Sequence, residues 1–452
     1  ADDKFQREYG ISGAWLLGPF LCWRDKATHK PEDLLISPIF KIAVDIVHTL
    51  QAHGHIAYFA GGWVRDHVMG NDASDIDIAT DATPEKIIKL FPKTLLIGIS
   101  FGVVVVIIEG HHFEVTTFRE DSENSDGRKP ESILFSTPKE DALRRDFTIN
   151  GLFYDPITHE ILDYVEGVKD IKKRIIRTIG DPQERFIEDR LRMVRAFRFA
   201  SRFDFVIDQE TQEAIFENAD TLFPSVSIER IWQEFNKMSK HPRFDKALIE
   251  MHRLELLPII FPELKGTHLH EIKQRVLYFD FFPKKTHTIL YLAQLFPHIS
   301  KEEMIDICRY LRISNHEIYH IETYYLAKSL IKKEIELNEE FDPVEWTYYF
   351  ARKDAFLSLE ILMIISIHEK KESHLIIYKE RVQRLKKHID RVVNKTPVIS
   401  GKDLLSLGFK PGESLGKILN EAERYSIIQN IEDSEKILEY LKKTPLWQKK
   451  NL

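Results

Sequence analysis

Two carboxylates one residue apart, Asp75 and Asp77, lie in the stretch Ser74-Asp75-Ile76-Asp77-Ile78, shortly after Gly61-Gly62-Trp63-Val64-Arg65-Asp66. In a strand, residues i and i+2 share a face. The two acids then project together while Ile76 and Ile78 enter the core. Like charges on one face of a half-buried strand are costly unless a cation neutralises them, and carboxylate oxygens suit Mg²⁺. Gly61 and Gly62 let backbone amides approach a phosphate closely, and Arg65 adds positive charge at short range. Together these types describe a metal–triphosphate site. Asp-x-Asp alone is a weak pattern that a turn of solvated acids also produces; the glycines and Arg65 favour the site.

Further candidates follow along the chain. Glu114, in Phe113-Glu114-Val115-Thr116-Thr117-Phe118, is a lone acid in an alternating strand. It reads either as an exposed edge residue or as a third carboxylate that, near Asp75 and Asp77, completes a cradle for two metals. Such a pair clamps the attacking and leaving oxygens of an in-line displacement. Arg144 and Arg145, beside Asp146 and Asn150, offer donors for phosphates and groups for ribose hydroxyls; an ion-paired strand start is the plainer alternative. Glu184 to Arg202 reads as one helix carrying Arg185, Arg190, Arg192, Arg195, Arg198 and Arg202. Arg192, Arg195, Arg198 and Arg202 share a face, and Asp189 joins them. Glu188–Arg192 and Asp189–Arg192 pairs would add only ~0.3 kcal/mol each. The excess positive charge favours a phosphate- or base-binding face. Aspartate accepts from an exocyclic amine and arginine donates two parallel bonds. An Asp189–Arg192 fork would therefore accept C and A and reject U and G, a template made of protein. His316-Glu317-Ile318-Tyr319-His320 matches the HExxH zinc-peptidase pattern. No third ligand is obvious, and a surface helix with two histidines is the preferred reading.

These residues need elements to hold them. The spacing of Ile42, Ile46, Val47 and Leu50 predicts a helix over Ile39–His53. Ile56–Ala60 is a strand leading into the glycine pair, Val64–Met69 a short helix, and Asp75–Ile78 a strand. Thr83 caps a helix with Pro84 at its first position. Val103–Ile108 is a central strand with Phe113–Phe118 as neighbour, and Glu120–Ser136 is a long polar loop. Asp163-Tyr164-Val165-Glu166-Gly167 and Asp170 form a turn consistent with a hinge between modules. From Asp181-Pro182 onward the chain is helical, with Ser225 or Ser227 capping a helix and prolines 258, 262, 283 and 297 marking turns. Glu369–Lys395 is a basic helix, either solvated or lying along RNA phosphates. Ile399–Leu405 and Gly408–Gly412 form a helix–turn element.

With 452 residues, several modules are expected. An apolar content of 43% with 30% charged residues fits a soluble globular chain. Two cysteines, Cys22 and Cys308, exclude a disulfide framework and fit a reducing cytosol. The net charge of -7 argues against indiscriminate nucleic-acid binding but not against a local basic face. No apolar run is long enough for a bilayer. Gly13–Leu21 is too short, its leader Ala1-Asp2-Asp3-Lys4 is acidic, and the start at Ala1 rather than Met suggests trimming.

The order of these motifs resembles class II template-independent RNA nucleotidyltransferases, the CCA-adding enzymes and bacterial poly(A) polymerases of the polymerase β superfamily. The resemblance runs from about Tyr58 to Lys240 and, more weakly, over Gly401–Leu415. It rests on GGxxRD with DxD, EVTTFR around Glu114, RRDFTIN, Asp163–Gly167, EDxxRxxR at Glu188–Arg195 and Ser227–Ile231. It implies an α+β chain with a polymerase β-like palm (a mixed sheet with helices) and an all-α neck, body and tail. The boundaries are an extension over 1–38, a head over 39–180, a neck over 181–242, a body over 243–368 and an RNA-binding tail over 369–452. It implies two Mg²⁺ on Asp75 and Asp77, triphosphate on Gly62 and Arg65, and ribose and phosphate on Arg145, Asp146 and Asn150. Asp189 and Arg192 would select the base, with Arg195 and Arg198 supporting nucleotide or primer phosphates. The implied reaction is attack of an RNA 3′-hydroxyl, of tRNA or another RNA, on the α-phosphate of CTP or ATP. No membrane or DNA partner is expected, and the implied location is the cytoplasm. Leu96–Val103, with Gly102 after Phe101, lacks the basic stretch of proteobacterial poly(A) polymerases, and Gly401–Gly412 looks like the CCA enzymes. CCA addition is therefore preferred over poly(A) or partial CC or A addition. A non-catalytic RNA-binding protein and a zinc peptidase are the alternatives from other classes.

Overall fold

The apolar runs of the first half pair into one sheet. The computed structural model describes residues 37–73, 75–96, 102–120, 134–335, 340–367 and 371–448. The extension before residue 37, Ser74, Ile97–Phe101, most of the expected 120–136 loop and the start of the expected basic helix lie outside the described residues. Two units divide at Ser225 and Val226.

In the first unit the strands are β1 (Ala57–Ala60), β2 (Asp77–Thr80), β3 (Thr94–Leu95), β4 (Val103–Ile108), β5 (His111–Thr117), β6 (Arg119–Glu120), β7 (Leu134–Phe135), β8 (Leu152–Asp155) and β9 (Glu160–Asp163), with a further parallel pair, β10 (Ile175–Ile176) and β11 (Val206–Ile207). Seven of them form a sheet in the order β3-β4-β5-β2-β1-β8-β9, and β6 and β7 form a separate ladder. β2 and β5 run parallel, with Ile78 opposite Val115; β4 and β5 are an antiparallel hairpin. That hairpin turns through Glu109 at φ 51° and Gly110 at φ 81°, the two positive-φ residues a two-residue turn of this hand requires. Val104, Val105 and Val106 are buried in β4, as a fully apolar central strand should be. The helix Pro38–Ala52 lays Phe40, Ile42, Ile46, Val47 and Leu50 into the core, where Phe40 and Trp63 pack on Phe59. Such aromatic pairs add about 0.5–1.5 kcal/mol beyond the area they bury.

Three local expectations need correction. The acidic strand begins at Asp77 and ends at Thr80, so Asp75 lies just before it. The helix expected over Glu184–Arg202 is two helices, Pro182–Glu188 and Leu191–Phe203. Asp189 breaks it: its backbone is extended (φ -144°, ψ 101°), and its carboxylate accepts from the Leu191 amide at 3.1 Å. A short acidic side chain that bonds the backbone competes with helix continuation. The Asp163–Gly167 turn is a packed cap rather than a hinge. Asp163 accepts from the amides of Val165, Gly167 and Val168 at 3.1, 3.0 and 2.9 Å, closing the start of the helix Gly167–Lys173.

The second unit is helical among its described residues. The basic helix runs Lys371–Asn394 and buries Leu375, Tyr378, Leu385 and Ile389. Two of its cations are held within the unit: Arg381 pairs with Glu334 and Arg391 with Glu423 and Glu432. Downstream, Ile399, Leu404, Phe409, Ile418, Ala422, Ile437 and Leu441 form a separate small core. No helix among the described residues is long and apolar enough to cross a membrane. Cys308 is fully buried, and burial pushes its thiol up to about 12. Iodoacetamide at about pH 8 should therefore spare Cys308 in the folded protein and alkylate it in concentrated urea, read by peptide mass spectrometry.

Candidate active site

β1 ends at Ala60, and Gly61 turns the chain with φ 66° and ψ -120° into the helix Gly62–Val68. That φ favours glycine, and a Cβ there would sit 3.0 Å from Nη1 of Arg145. Gly61 thus sets both the turn and the approach of an arginine. The same helix carries Arg65, only 3% exposed. Its Nε donates to Asp66 at 2.9 Å and its Nη1 to the Asn150 side chain at 2.7 Å, with the Phe203 ring 4.5 Å away. Burial draws its pKa down and the Asp66 hydrogen bond opposes that. Arg65, expected to hold the triphosphate with Gly62, is buried and braced by Asp66 and Asn150.

Beside it, the parallel β2–β5 register continues one step back from Ile78 and Val115, which sets Asp77 beside Glu114. Asp77 is half-buried while Asp75 and Glu114 are exposed. The Asp77 carboxyl is pushed up to about 6, first by burial, then by the charges of Asp75 and Glu114, which Arg145 only partly offsets. The three acids expected to meet are therefore close enough to repel. An oxygen-only donor set with uncompensated negative charge fits a hard divalent cation.

Arg145 frames this edge. Its Nε and Nη2 donate to Asp141 Oδ2 at 3.1 and 3.0 Å and its Nη1 to the Asn150 carbonyl at 3.2 Å. Burial works against the Asp141 charge, yet Arg145 and Arg144 hold that carboxyl below its usual range. Asp141 was absent from the sequence reading. Its signal was an acid three and four residues before the arginine pair, the spacing of neighbours on one helix face. It lies in the helix Pro138–Leu143, fixed by a Thr137–Glu140 capping box.

Asp146 is also an interior acid. It accepts from Arg195 Nε at 2.9 Å, from Asn150 Nδ2 at 3.0 Å and from its neighbour amide Phe147 at 2.8 Å. Burial again opposes the charge, and Arg195 with these bonds keeps the pKa low. Asn150, on the tight turn Thr148–Asn150, thus joins Arg65, Arg145 and Asp146 through three different atoms. Arg202 donates to Asp66 at 3.2 Å. Arg198 is buried, 4.0 Å from the Phe199 ring. The arginine face expected to be open to phosphates is instead turned largely onto the palm's carboxylates and aromatic rings. Arg192 donates to Glu188 at 2.7 Å and to the carbonyls of Arg185 and Arg144 at 3.1 and 3.2 Å. Asp189 stands on the other side of the helix break, so the pair does not share one helix face. The Arg192 amide donates to the Asp189 carbonyl at 3.0 Å.

His316 and His320 lie on the helix Asn315–Ile335, in the other unit. Glu317, which a peptidase would need as its base, accepts instead from the Ser314 amide and hydroxyl at 3.0 and 3.1 Å.

Comparison with known proteins agrees with this architecture. Residues 57–177 match the poly A polymerase head domain, 204–266 the probable RNA and SrmB-binding site of polymerase A, and 282–441 the putative domain 2 of tRNA nucleotidyltransferase. The chain is 34% identical over 408 residues to a CCA-adding enzyme of Bacillus pumilus, covering 88% of this chain and 96% of that one. It is 36% identical over 412 residues to a CCA-adding enzyme of Ligilactobacillus salivarius, covering 89% and 96%. A solved structure of the Bacillus stearothermophilus CCA-adding enzyme in complex with CTP superposes with a TM-score of 0.73 at 28% identity, over 92% of this chain and 100% of that one. The Thermotoga maritima enzyme complexed with tRNA shares the fold, with a TM-score of 0.57 at 18% identity over 91% and 97%. The chain belongs to the class II RNA nucleotidyltransferases, in the family of the CCA-adding enzymes.

Proposed function

We propose that this enzyme completes the 3′ end of tRNA, transferring CMP and AMP from CTP and ATP and releasing pyrophosphate. Full-length likeness to CCA-adding enzymes is the observation that carries the assignment over poly(A) addition. Asp75, Asp77 and Glu114 are the residues that would hold divalent cations, Mg²⁺ being the proposed ion. When bound, the ions would ease loss of the hydroxyl proton and neutralise the leaving pyrophosphate.

The chain's own groups supply the rest. Gly61 and Gly62 bring backbone to the triphosphate. Arg145, 21% exposed at its side chain, offers charge at the edge of the cradle. Arg65, Asn150, Asp146 and Arg195 lock the palm's turn to the first helices of the neck, so the positions of the cradle and of the base-reading residues are coupled. Base choice is placed at the break between Glu188 and Leu191, where Asp189 supplies an acceptor and Arg192 donors. Arg198, beneath Phe199, supports that helix, and any phosphate contact is indirect. The division into head 39–180, neck 181–242, body 243–368 and tail 369–452, and a cytoplasmic location, are proposed on the same basis.

The test offers tRNA lacking its 3′ end, tRNA ending in CC, and oligo(A), each with single labelled nucleotides. Incorporation of C on the first and A on the second, with a strict stop, is expected. Open-ended A tails on oligo(A) would overturn the assignment. In the same assay Asp189→Ala should admit UTP and lower CTP use by on the order of 10²-fold, because discrimination rests on a paired polar group. Unchanged selectivity would move base choice elsewhere.

A further inference from the structure

The His316–His320 segment contains an unusual buried group. His320 is 2% exposed, and its Nε2 is buried without a hydrogen-bond partner. Leaving such an atom unpaired is expensive, about 1–3 kcal/mol. The His320 ring stacks on His287, with centroids 3.7 Å apart and planes at 21°. His287 directly precedes the helix Thr288–Leu292. Asp354 sits at φ 57°, just before the helix Ala355–Ile367. One ligand atom from each of His287, His320 and Asp354 lies within 4.8 Å of the other two. His320 is the member of the five-residue pattern in this cluster, and its two partners come from distant segments.

Two stacked neutral imidazoles cannot satisfy each other's lone pairs, because a ring nitrogen donates and accepts in the ring plane. Burial, then the neighbouring histidines His287 and His316, keep His320 from taking a proton, whereas Asp354 favours one and Lys353 opposes it. A cation that binds lone pairs resolves this where a proton does not. Two imidazole nitrogens and one carboxylate oxygen suit zinc-type ions, not the all-oxygen preference of Mg²⁺. We propose that His287, His320 and Asp354 form a second metal site, taking Zn²⁺ or a divalent transition ion of its class and tying three helices of the second unit together. Zinc–ligand bonds of about 2.0–2.2 Å place tetrahedral ligands about 3.4 Å apart, so the three side chains draw inward on binding. The fourth position falls to water or to His316, whose ring is 4.7 Å from that of His320. With Glu317 engaged at its helix start, the site is structural and not hydrolytic.

The acidic cradle also takes divalent ions, so the measurement uses the untagged full chain carrying Asp75→Ala and Asp77→Ala. Zinc binding is read by competition with a chromophoric chelator, Co²⁺ by its visible absorption, and stability by melting with and without Zn²⁺. One Zn²⁺ per chain, an absorption typical of tetrahedral nitrogen–oxygen ligation and a zinc-dependent rise in Tm are expected. His320→Gln should weaken zinc binding at least about 100-fold and Asp354→Asn about 10-fold or more, since even outer-shell partners of a metal matter by 10–100-fold. Asp354 is exposed, so that variant folds whatever the fate of the buried one. Absence of zinc binding in the parent, or undiminished binding in Asp354→Asn, would overturn the site.

Discussion

Asp77→Asn should lower CMP and AMP transfer by on the order of 10³-fold or more, while leaving the metal-free chain at least as stable as the parent. The loss follows from the role proposed for the carboxylate, because removing one group that stabilises transition-state charge already costs 10²–10³-fold. The stability half follows from its environment. Burial, then Asp75 and Glu114, raise the Asp77 pKa to about 6, above an unfolded value near 3.9. The folded state thus binds this proton more tightly than the unfolded one. The stability that Asp77 contributes is greatest below about pH 3.9, falls as pH rises through the interval to about 6, and stays lower beyond it. At neutral pH the ionised group costs about 2–3 kcal/mol. Asparagine keeps the shape and removes the charge. Melting in EDTA at about pH 7.5 should show an equal or higher Tm for the variant. Added Mg²⁺ should raise the parent's Tm and not the variant's. A clear drop in the variant's metal-free Tm would mean that Asp77 is a structural acid with partners of its own.

Gly167→Ala should be the most damaging single methyl in the first unit. A Cβ there would meet the Thr148 carbonyl oxygen at 2.2 Å and the Leu152 side chain at 3.0 Å. Backbone cannot swing away as a long side chain does, so the helix Gly167–Lys173 or the Thr148–Asn150 turn must move. Overpacking of this kind costs about 3 kcal/mol or more. Asn150 rides on that turn and joins Arg65, Arg145 and Asp146, so transfer should fall by about 10²-fold even in the fraction that folds, as misplacement by an ångström can do. Gly416→Ala is the contrasting change: nothing lies within 4 Å of the added Cβ, and helix propensity favours alanine by about 1 kcal/mol. Urea midpoints of the two variants should move in opposite directions. A Gly167→Ala protein with unchanged midpoint and activity would show that the turn is softer than its packing implies.

What could be read without coordinates was what depends on local spacing. Asp77 and the buried Ile78 follow from strand alternation, and the β-branched run of β4 announced a central strand. Glu114 was singled out as a lone acid in a strand that could pair near the acidic one, which the register of β2 and β5 sets beside Asp77. The misreadings share a cause. Helical periodicity counts Asp189 as one more position on a face, whereas its carboxylate bonds the Leu191 amide and ends the helix. Arginines look like open cations in a sequence, yet Arg65 and Arg145 meet the nearby Asp66 and Asp141, while Arg195 and Arg202 meet Asp146 and Asp66 from far along the chain. The two long-range pairings, like the approach of Asp354 to His320, are tertiary, and no short-range pattern encodes them.

The parallel pairing of β2 with β5 also bears on how the chain acquires its activity. All other ladders described in the seven-stranded sheet are antiparallel. The β4–β5 hairpin needs only a two-residue closure and can form in about 1–10 μs. Bringing Asp77 to Glu114 instead closes a long crossover, and loop entropy must be overcome before any contact rewards it. Mutual repulsion of the acids opposes the same step. The proposed cradle therefore closes later than the β4–β5 hairpin that carries Glu114. A divalent ion held by these acids, as proposed, would also remove the electrostatic obstacle to that closure.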